Sequence, residues 1–209
     1  SSPLYTLLDL NGGTIILGSD LCFSNFCKLP SKGTIEGNGK SFLLRGDLVV
    51  EEEILVKSDL TIDGSLQKIK FIKNGRLTIE DGVTMTLKNV TFDNKVSQTP
   101  LLCNGPNSRI IVNGATLNLG NNFELGQGYM LIESAHIKGP YEFKISTTKG
   151  SKIASSGLLS VTDGAILRFD EKGLAQNRSL LTGEDSTSVL LLSCATLSSA
   201  KPGLMFDVG

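Results

Sequence analysis

A short cassette recurs along most of this chain and limits it to a small set of folds. Its form is apolar–x–apolar, a small polar turn, then Ala or Val, one residue, and another apolar. It reads Leu77-Thr78-Ile79-Glu80-Asp81-Gly82-Val83-Thr84-Met85 and then Ile111-Val112-Asn113-Gly114-Ala115-Thr116-Leu117. It returns as Leu131-Ile132-Glu133-Ser134-Ala135-His136-Ile137, as Leu159-Ser160-Val161-Thr162-Asp163-Gly164-Ala165-Ile166-Leu167, and as Leu191-Leu192-Ser193-Cys194-Ala195-Thr196-Leu197. A weaker copy is Leu87-Lys88-Asn89-Val90-Thr91-Phe92. Val90, Ala115, Ala135, Ala165 and Ala195 follow one another at steps of 25, 20, 30 and 30 residues. A period of this size means a solenoid, a propeller or an array. The unit is strand, tight turn, strand, with no helix between copies, which points to a parallel β-helix.

Alternation explains why. Strand side chains point to opposite faces with period 2. Placing Ala115, Leu117 and Leu119 inward leaves Thr116 and Asn118 outward. The same choice buries Ala165, Leu167 and Phe169 and turns Ile166 and Arg168 out; at Ile69 and Phe71 it exposes Lys68 and Lys70. Gly, Asp, Asn and Ser at the turns tolerate left-handed backbone or cap their own amides, so the chain can bend sharply between faces. Leucine-rich repeats would need a fixed spacing with a consensus Asn, and propeller blades usually carry Trp-Asp marks, whereas this chain has no Trp.

The expected architecture is therefore all-β, a right-handed parallel β-helix of about eight irregular coils with no substantial helix, forming one domain over residues 1–209. At ~4.8 Å per coil this gives a rod on the order of 40 Å long. Strand-like pieces fall at 14–17, 21–23, 34–35, 42–44, 48–50, 54–56, 60–62 and 69–72. Gly33-Thr34-Ile35 echoes Gly13-Thr14-Ile15 twenty residues earlier, which sets the first coils. Residues 1–12 form a lead-in and 200–209 a closing segment; 94–109 and 172–186 are expected as lateral loops. A start at Ser1 without Met suits a mature or excised product. The net charge of −1, from 20 basic and 21 acidic residues, argues against a nucleic-acid partner. No run of the ~18 apolar residues needed to span a bilayer is present, and nothing resembles a signal peptide.

The flanked turns Asp63-Gly64, Asp81-Gly82, Asn113-Gly114 and Asp163-Gly164 carry a family resemblance over about residues 12–200. The rungs resemble the right-handed parallel β-helix (pectin-lyase-like) superfamily: pectin and pectate lyases, polygalacturonases and autotransporter passengers. In character the chain is nearest to the surface rods of autotransporter passengers rather than to the enzymes. The resemblance implies a fold and leaves activity to the sites grafted on it. The polygalacturonase signatures Asn-Thr-Asp, Gly-His-Gly and Arg-Ile-Lys are absent, the nearest analogues being Val161-Thr162-Asp163 and Ala135-His136-Ile137. Inverting hydrolysis needs an acid and a base carboxylate flanking the substrate. Outward candidates are Glu80, Glu124, Glu133, Glu142 and Asp170, with no pairing readable from spacing. No catalytic, cofactor or metal residue is assigned.

Other constellations read as scaffold. Gly37-Asn38-Gly39-Lys40-Ser41 lacks the Gly a phosphate-binding loop needs and is expected as a turn between rungs. Glu51-Glu52-Glu53 is expected as a solvated loop, Lys68, Lys70 and Lys73 as a solvated basic stripe, and His136 as an exposed rung residue. Cys22 and Cys27 are five apart, close enough for a loop disulfide in an oxidising compartment. Cys103 and Cys194 look like small rung or turn residues.

The two ends bear on function, because solenoid edges are templates for further strand pairing. Leu4, Tyr5, Leu7 and Leu8 at one end and Leu204, Met205, Phe206 and Val208 at the other are candidate axial contacts. Head-to-tail stacking into a homo-polymer, folding back as caps, and excision from a longer protein all remain open readings. The favoured function is an extracellular or cell-surface structural and adhesive module. Its partners would be further copies at the ends, and a surface receptor or glycan at the lateral loops. The alternative is a polysaccharide-processing enzyme or a glycan-binding β-helix.

Overall fold

The computed structural model describes residues 5–96, 98–147, 149–170 and 179–200, together with the backbone of Phe206–Val208. Among them there is no helix, and the strands stack as the expected parallel β-solenoid, nine strands deep on each face against the about eight coils expected. Every ladder is parallel, and each turn of the chain crosses three faces.

The first face stacks β1 (Tyr5–Leu7), β4 (Phe26–Leu29), β6 (Leu48–Val50), β8 (Lys68–Phe71) and β11 (Thr91–Asn94). It continues in the later halves of β13 (Arg109–Leu119), β15 (Tyr129–Lys138) and β17 (Ser151–Thr162), and ends in β20 (Val189–Leu192). The second face holds β2 (Thr14–Ile16), the openings of β5 (Gly33–Leu44) and β7 (Glu53–Asp63), β9 (Arg76–Ile79) and β12 (Leu101–Cys103). There the ladder breaks, and a separate sheet of β14 (Phe123–Leu125), β16 (Glu142–Ile145), β18 (Ile166–Phe169) and β21 (Thr196–Ser199) takes over. The third face carries β3 (Leu21–Phe23), the ends of β5 and β7, and β10 (Thr84–Lys88). The openings of β13, β15 and β17, then β19 (Leu181–Gly183) and β22 (Phe206–Val208), complete it.

The echo of Gly13-Thr14-Ile15 in Gly33-Thr34-Ile35 is a true ladder: Thr14 pairs with Thr34 and Ile15 with Ile35. So are the steps of 25 and 20, since Thr91 pairs with Thr116 and Ala115 with Ala135. The step from Ala135 to Ala165 is not. Ala135 pairs with Leu159, and the residue after Ala165, Ile166, pairs with Glu142. The cassette marks a corner rather than a coil. At 77–85 it turns from the second face to the third, at 111–117 and 131–137 from the third to the first, and at 159–167 and 191–197 from the first to the second. All three corners make the same demand, an inward apolar pair on either side of a small bend.

The alternation holds along most of the rod and lapses at the end strands, which lie exposed. Ala115, Leu117 and Leu119 are buried, as are Ala165, Leu167 and Phe169 and the Ile69/Phe71 pair. The interior is one continuous apolar column in which Phe123 stacks on Phe143 at 4.8 Å and Phe71 on Phe92 at 5.8 Å. At the Asp163-Gly164 corner both residues have left-handed backbone (φ 56° and 81°), the conformation that side chains other than Asn, Asp and Gly resist. Gly75 is fixed by proximity instead: a Cβ there would lie 2.0 Å from the Val50 carbonyl oxygen. The turn read at Asn38-Gly39 is a corner inside β5, where the pairing register slips between Glu36 and Lys40.

Truncating the stacked ring by Phe143→Ala should lower the unfolding free energy by about 3–5 kcal/mol, since a rigid column collapses little around a missing ring. Urea unfolding followed by circular dichroism checks this. A loss under about 1 kcal/mol would mean that the stack is not held as described.

Candidate functional site

Outward residues line up in vertical ladders because rung registers are kept from coil to coil. On the first face Lys70 lies 2.7 Å from Asp47, Lys68 lies 3.6 Å from Asp93, and the Asn118 amide donates to Asp93 at 2.7 Å. Burial works against ionising Asp47, but hydrogen bonds from Lys70 and the Lys68 amide outweigh it, so its pKa falls below the usual value. On the second face Arg76 reaches Glu53 at 4.0 Å, and the Thr78 hydroxyl donates to Glu53 at 2.6 Å. Further along, Lys144 bridges Asp170 at 2.7 Å and Glu124 at 3.5 Å, and Arg168 pairs with Glu142 at 3.0 Å. The Asp170 contact, foremost, raises the Lys144 pKa.

The first corner holds the one buried carboxylate among the described residues. Glu51 is 4% exposed and receives Lys28 and Lys73, each at 2.6 Å. Those two contacts hold its pKa below the usual 4.5, with Lys28 the larger influence. This corrects the reading of Glu51-Glu52-Glu53 as a solvated loop. Glu52 accepts from the Asn74 amide and Glu53 faces Arg76, so all three acids are tied to the next coil, two of them by cations. Lys68, Lys70 and Lys73 are likewise paired cations, each holding an acid of a neighbouring coil. The missed signal was a spacing of one coil, 20 to 26 residues, between opposite charges, such as Asp47 to Lys70 and Lys144 to Asp170.

Three of the candidate carboxylates, Glu124, Glu142 and Asp170, do share the second face, but each sits against a cation. Glu133 instead accepts from the Asn113 amide at 2.6 Å on another face, and Glu80 lines an open corner concavity with Asp59 and Asp81. A cation-paired carboxylate ladder stiffens coil-to-coil contact; an acid and base pair for sugar hydrolysis needs groups in opposite protonation states. His136, on the ladder between Thr116 and Ser160, shares a hydrogen bond with Thr162 at 2.7 Å. Among the described residues no group of three His, Cys, Asp or Glu is placed to hold a metal ion. Compared with protein families, with curated proteins and with solved structures, the chain matches none.

Cys22 and Cys27, close enough in sequence for a disulfide, are both free in this structure. Cys22 points out from β3, whereas Cys27 points into the column from β4, fully buried, and burial pushes its thiol up to about 11. Five residues of spacing place them on different faces with opposite inward sense. Cys103 is a buried rung residue with its pKa pushed up to about 12, and Cys194 occupies a corner with φ 49°.

Of the axial candidates, Tyr5 and Leu7 sit on β1, 57% and 54% exposed, and Leu8 packs half-buried against the column. Phe206 and Val208 belong to β22, which pairs with β19; Leu4, Leu204 and Met205 lie outside the described residues. The lateral loop expected at 94–109 is interrupted by β12, whose Leu101 and Cys103 enter the column. The loop expected at 172–186 lies partly outside the described residues, and Leu181–Gly183 within it is a rung strand. No described helix is long and apolar enough to cross a membrane.

Glu51→Gln keeps the shape of the side chain and removes its charge. It should cost about 1–2 kcal/mol at pH 7, a buried-pair loss moderated by the partial exposure of both lysines. Because the folded pKa of Glu51 is depressed, its contribution is present above the unfolded value of about 4.3 and fades as pH falls through the folded one. The gap between wild type and variant should therefore close on acidification, as urea midpoints at pH 7 and pH 3 will show; a gap independent of pH would dismiss the ion pairs as its source.

Proposed function

We propose that this chain is a structural and adhesive β-solenoid module of the cell exterior, and that it assembles axially by stacking one copy on the next. One observation carries the reading. The apolar column runs to both ends, and the residues that pack against it only partly buried are Leu8, Leu10, Ile15 and Leu21 at one end and Leu190, Ala195 and Leu197 at the other. Both end layers present parallel strands in the same order around the three faces, β1, β2 and β3 against β20, β21 and β22. A second copy placed end to end meets the strand direction and the apolar surface that the next coil would supply. Unpaired edges of this kind are templates for pairing, and a head-to-tail contact of unlike surfaces does not close, so it propagates as a fibre.

Ion pairs between neighbouring coils, which engage about half of the described cations, suit such a role because they stiffen the rod. The lateral surface is then free to contact a partner while the ends build length.

Negative-stain electron microscopy over a dilution series tests the proposal. Filaments should appear with an axial repeat of roughly 43 Å, one rod length of nine rungs at the rung spacing. Ile15→Lys places a charge in the first end layer and should abolish filaments while leaving the β circular dichroism signal intact. Discrete short rods from the wild type at every concentration, or filaments undiminished in the variant, would reject axial stacking.

A further inference from the structure

We infer that the third face carries a lateral binding site for a sulfated polysaccharide, built on Arg109, Tyr129 and Lys149. This deepens the adhesive half of the reading above and does not depend on stacking.

The site is a shallow concavity of about 400 Å³ spanning successive coils, lined by Arg109, Tyr129, Leu131, Lys149, Lys152 and Glu184. Arg109 at the start of β13 pairs in register with Tyr129 at the start of β15, so the guanidinium lies one coil from the ring, its Cζ 5.9 Å from the ring centroid. Lys149 comes from the following coil and places Nζ 4.4 Å from the same centroid. The negative face of an aromatic ring attracts cations, so one tyrosine gathers two cations from the coils on either side of it. Lys152, opposite Leu131 in the ladder, adds a third.

Other described cations, such as Lys32, Lys57 and Lys138, also lack an acid partner, but here unpaired cations from successive coils converge on one ring in one concavity. Lys28, Lys68, Lys70, Lys73, Arg76, Lys88, Lys144 and Arg168 each have a carboxylate within 4.0 Å. Arg109, Lys149 and Lys152 have none among the described residues. The Arg109 Nε is buried with no hydrogen-bond partner. Glu184, the one acid lining the concavity, accepts a hydrogen bond from the Ser155 amide at 3.1 Å instead. Three cations against one acid, with two of them held on one ring, leave a local excess of positive charge that an anion would relieve.

The ligand class follows from the shape and the floor. The strip runs along the rod axis across successive coils, so it fits an extended chain laid lengthwise. Half-buried Leu131 beside the ring gives an apolar patch that the C–H face of a sugar can cover, while the Tyr129 ring itself holds the two cations. Three cations within one short strip match a ligand with more than one anionic group per few sugars, as sulfate esters provide, and the weakly hydrated guanidinium pairs readily with such oxyanions. A nucleic acid fits less well, because the only aromatic ring lining the strip already carries cations and is not a free platform for bases.

The test is biolayer interferometry of the whole protein on immobilised dextran sulfate, uncharged dextran, polygalacturonate and a single-stranded oligodeoxynucleotide. Dextran sulfate should bind, uncharged dextran should not, and polygalacturonate and the oligonucleotide should bind at least tenfold more weakly. Raising NaCl from 50 to 200 mM should weaken dextran sulfate binding about tenfold, as release of condensed counterions requires. The double variant Arg109→Gln/Lys149→Gln should lose about tenfold or more. Lys57→Gln, at a corner away from the strip, should bind as wild type. Tyr129→Leu keeps every charge but frees the two cations, and should bind about threefold more weakly if the ring orders them. Undiminished binding by the double variant, or polygalacturonate or oligonucleotide binding as tight as dextran sulfate, overturns the proposal. Imaging the double variant for filaments keeps the two readings apart, since stacking should survive the loss of lateral binding.

Discussion

Everything in this molecule depends on keeping one rung in parallel register with the next. A parallel ladder satisfies the backbone of each strand with the coil before and the coil after, and a slip of one residue would turn every inward side chain outward. The cost of a slip is steep because the interior is a continuous apolar column in which rings stack on rings. Register is therefore set by burial and then inherited by the surface. Where the chain does slip, it does so at corners, as between Glu36 and Lys40 or on either side of Asn113. There an extra residue bulges outward without disturbing the inward pattern.

The charge ladders are a consequence of that inheritance. Once Leu48 sits on Ile69, Asp47 is brought beside the lysines of the next strand. Once Leu29 sits on Val50, Glu51 is closed off under Lys28 from one side and Lys73 from the other. Most of these pairs are partly exposed and individually weak. Their effect lies in repetition, since each ties two successive coils and raises the free energy of any state in which the stack is offset. Glu51 differs in degree, because its burial makes its charge dependent on both lysines.

How much of this could be read from the chain depended on the range of the interaction. Local alternation was fully legible: Ala115, Leu117 and Leu119, or Ile69 and Phe71, announce an inward set by composition alone. Short-period echoes were legible too, and Thr14 does lie over Thr34. What local pattern could not supply was phase around the axis. The cassettes at 131–137 and 159–167 look alike, yet they turn different corners, because bending a strand makes the same demand wherever it occurs. Sequence spacing was a poor guide to the cysteines for a related reason. Proximity in sequence said nothing about sense, and Cys22 faces solvent while Cys27 faces the column. The acidic run at 51–53 was misread because its partners lie 22 to 25 residues away, beyond any local window.

The same logic locates function on a fold of this kind. A solenoid spends its inward residues on the column and its corners on bending, so an outward position can be varied at little cost to stability. Selection for stiffness fills such positions with opposite charges in neighbouring coils, as along the first two faces. A place where that pairing lapses is informative for the same reason. Arg109, Lys149 and Lys152 have no acid within ion-pair distance among the described residues, and Tyr129 gathers two of them from the coils on either side of its own. The register that closes Glu51 between two lysines also holds this strip open, and stacked rungs keep its cations at fixed spacing along the rod. A repeating anionic chain can exploit that spacing, and a rod that grows by axial stacking would present the strip many times over. Avidity would then rise with length without any change to a single site.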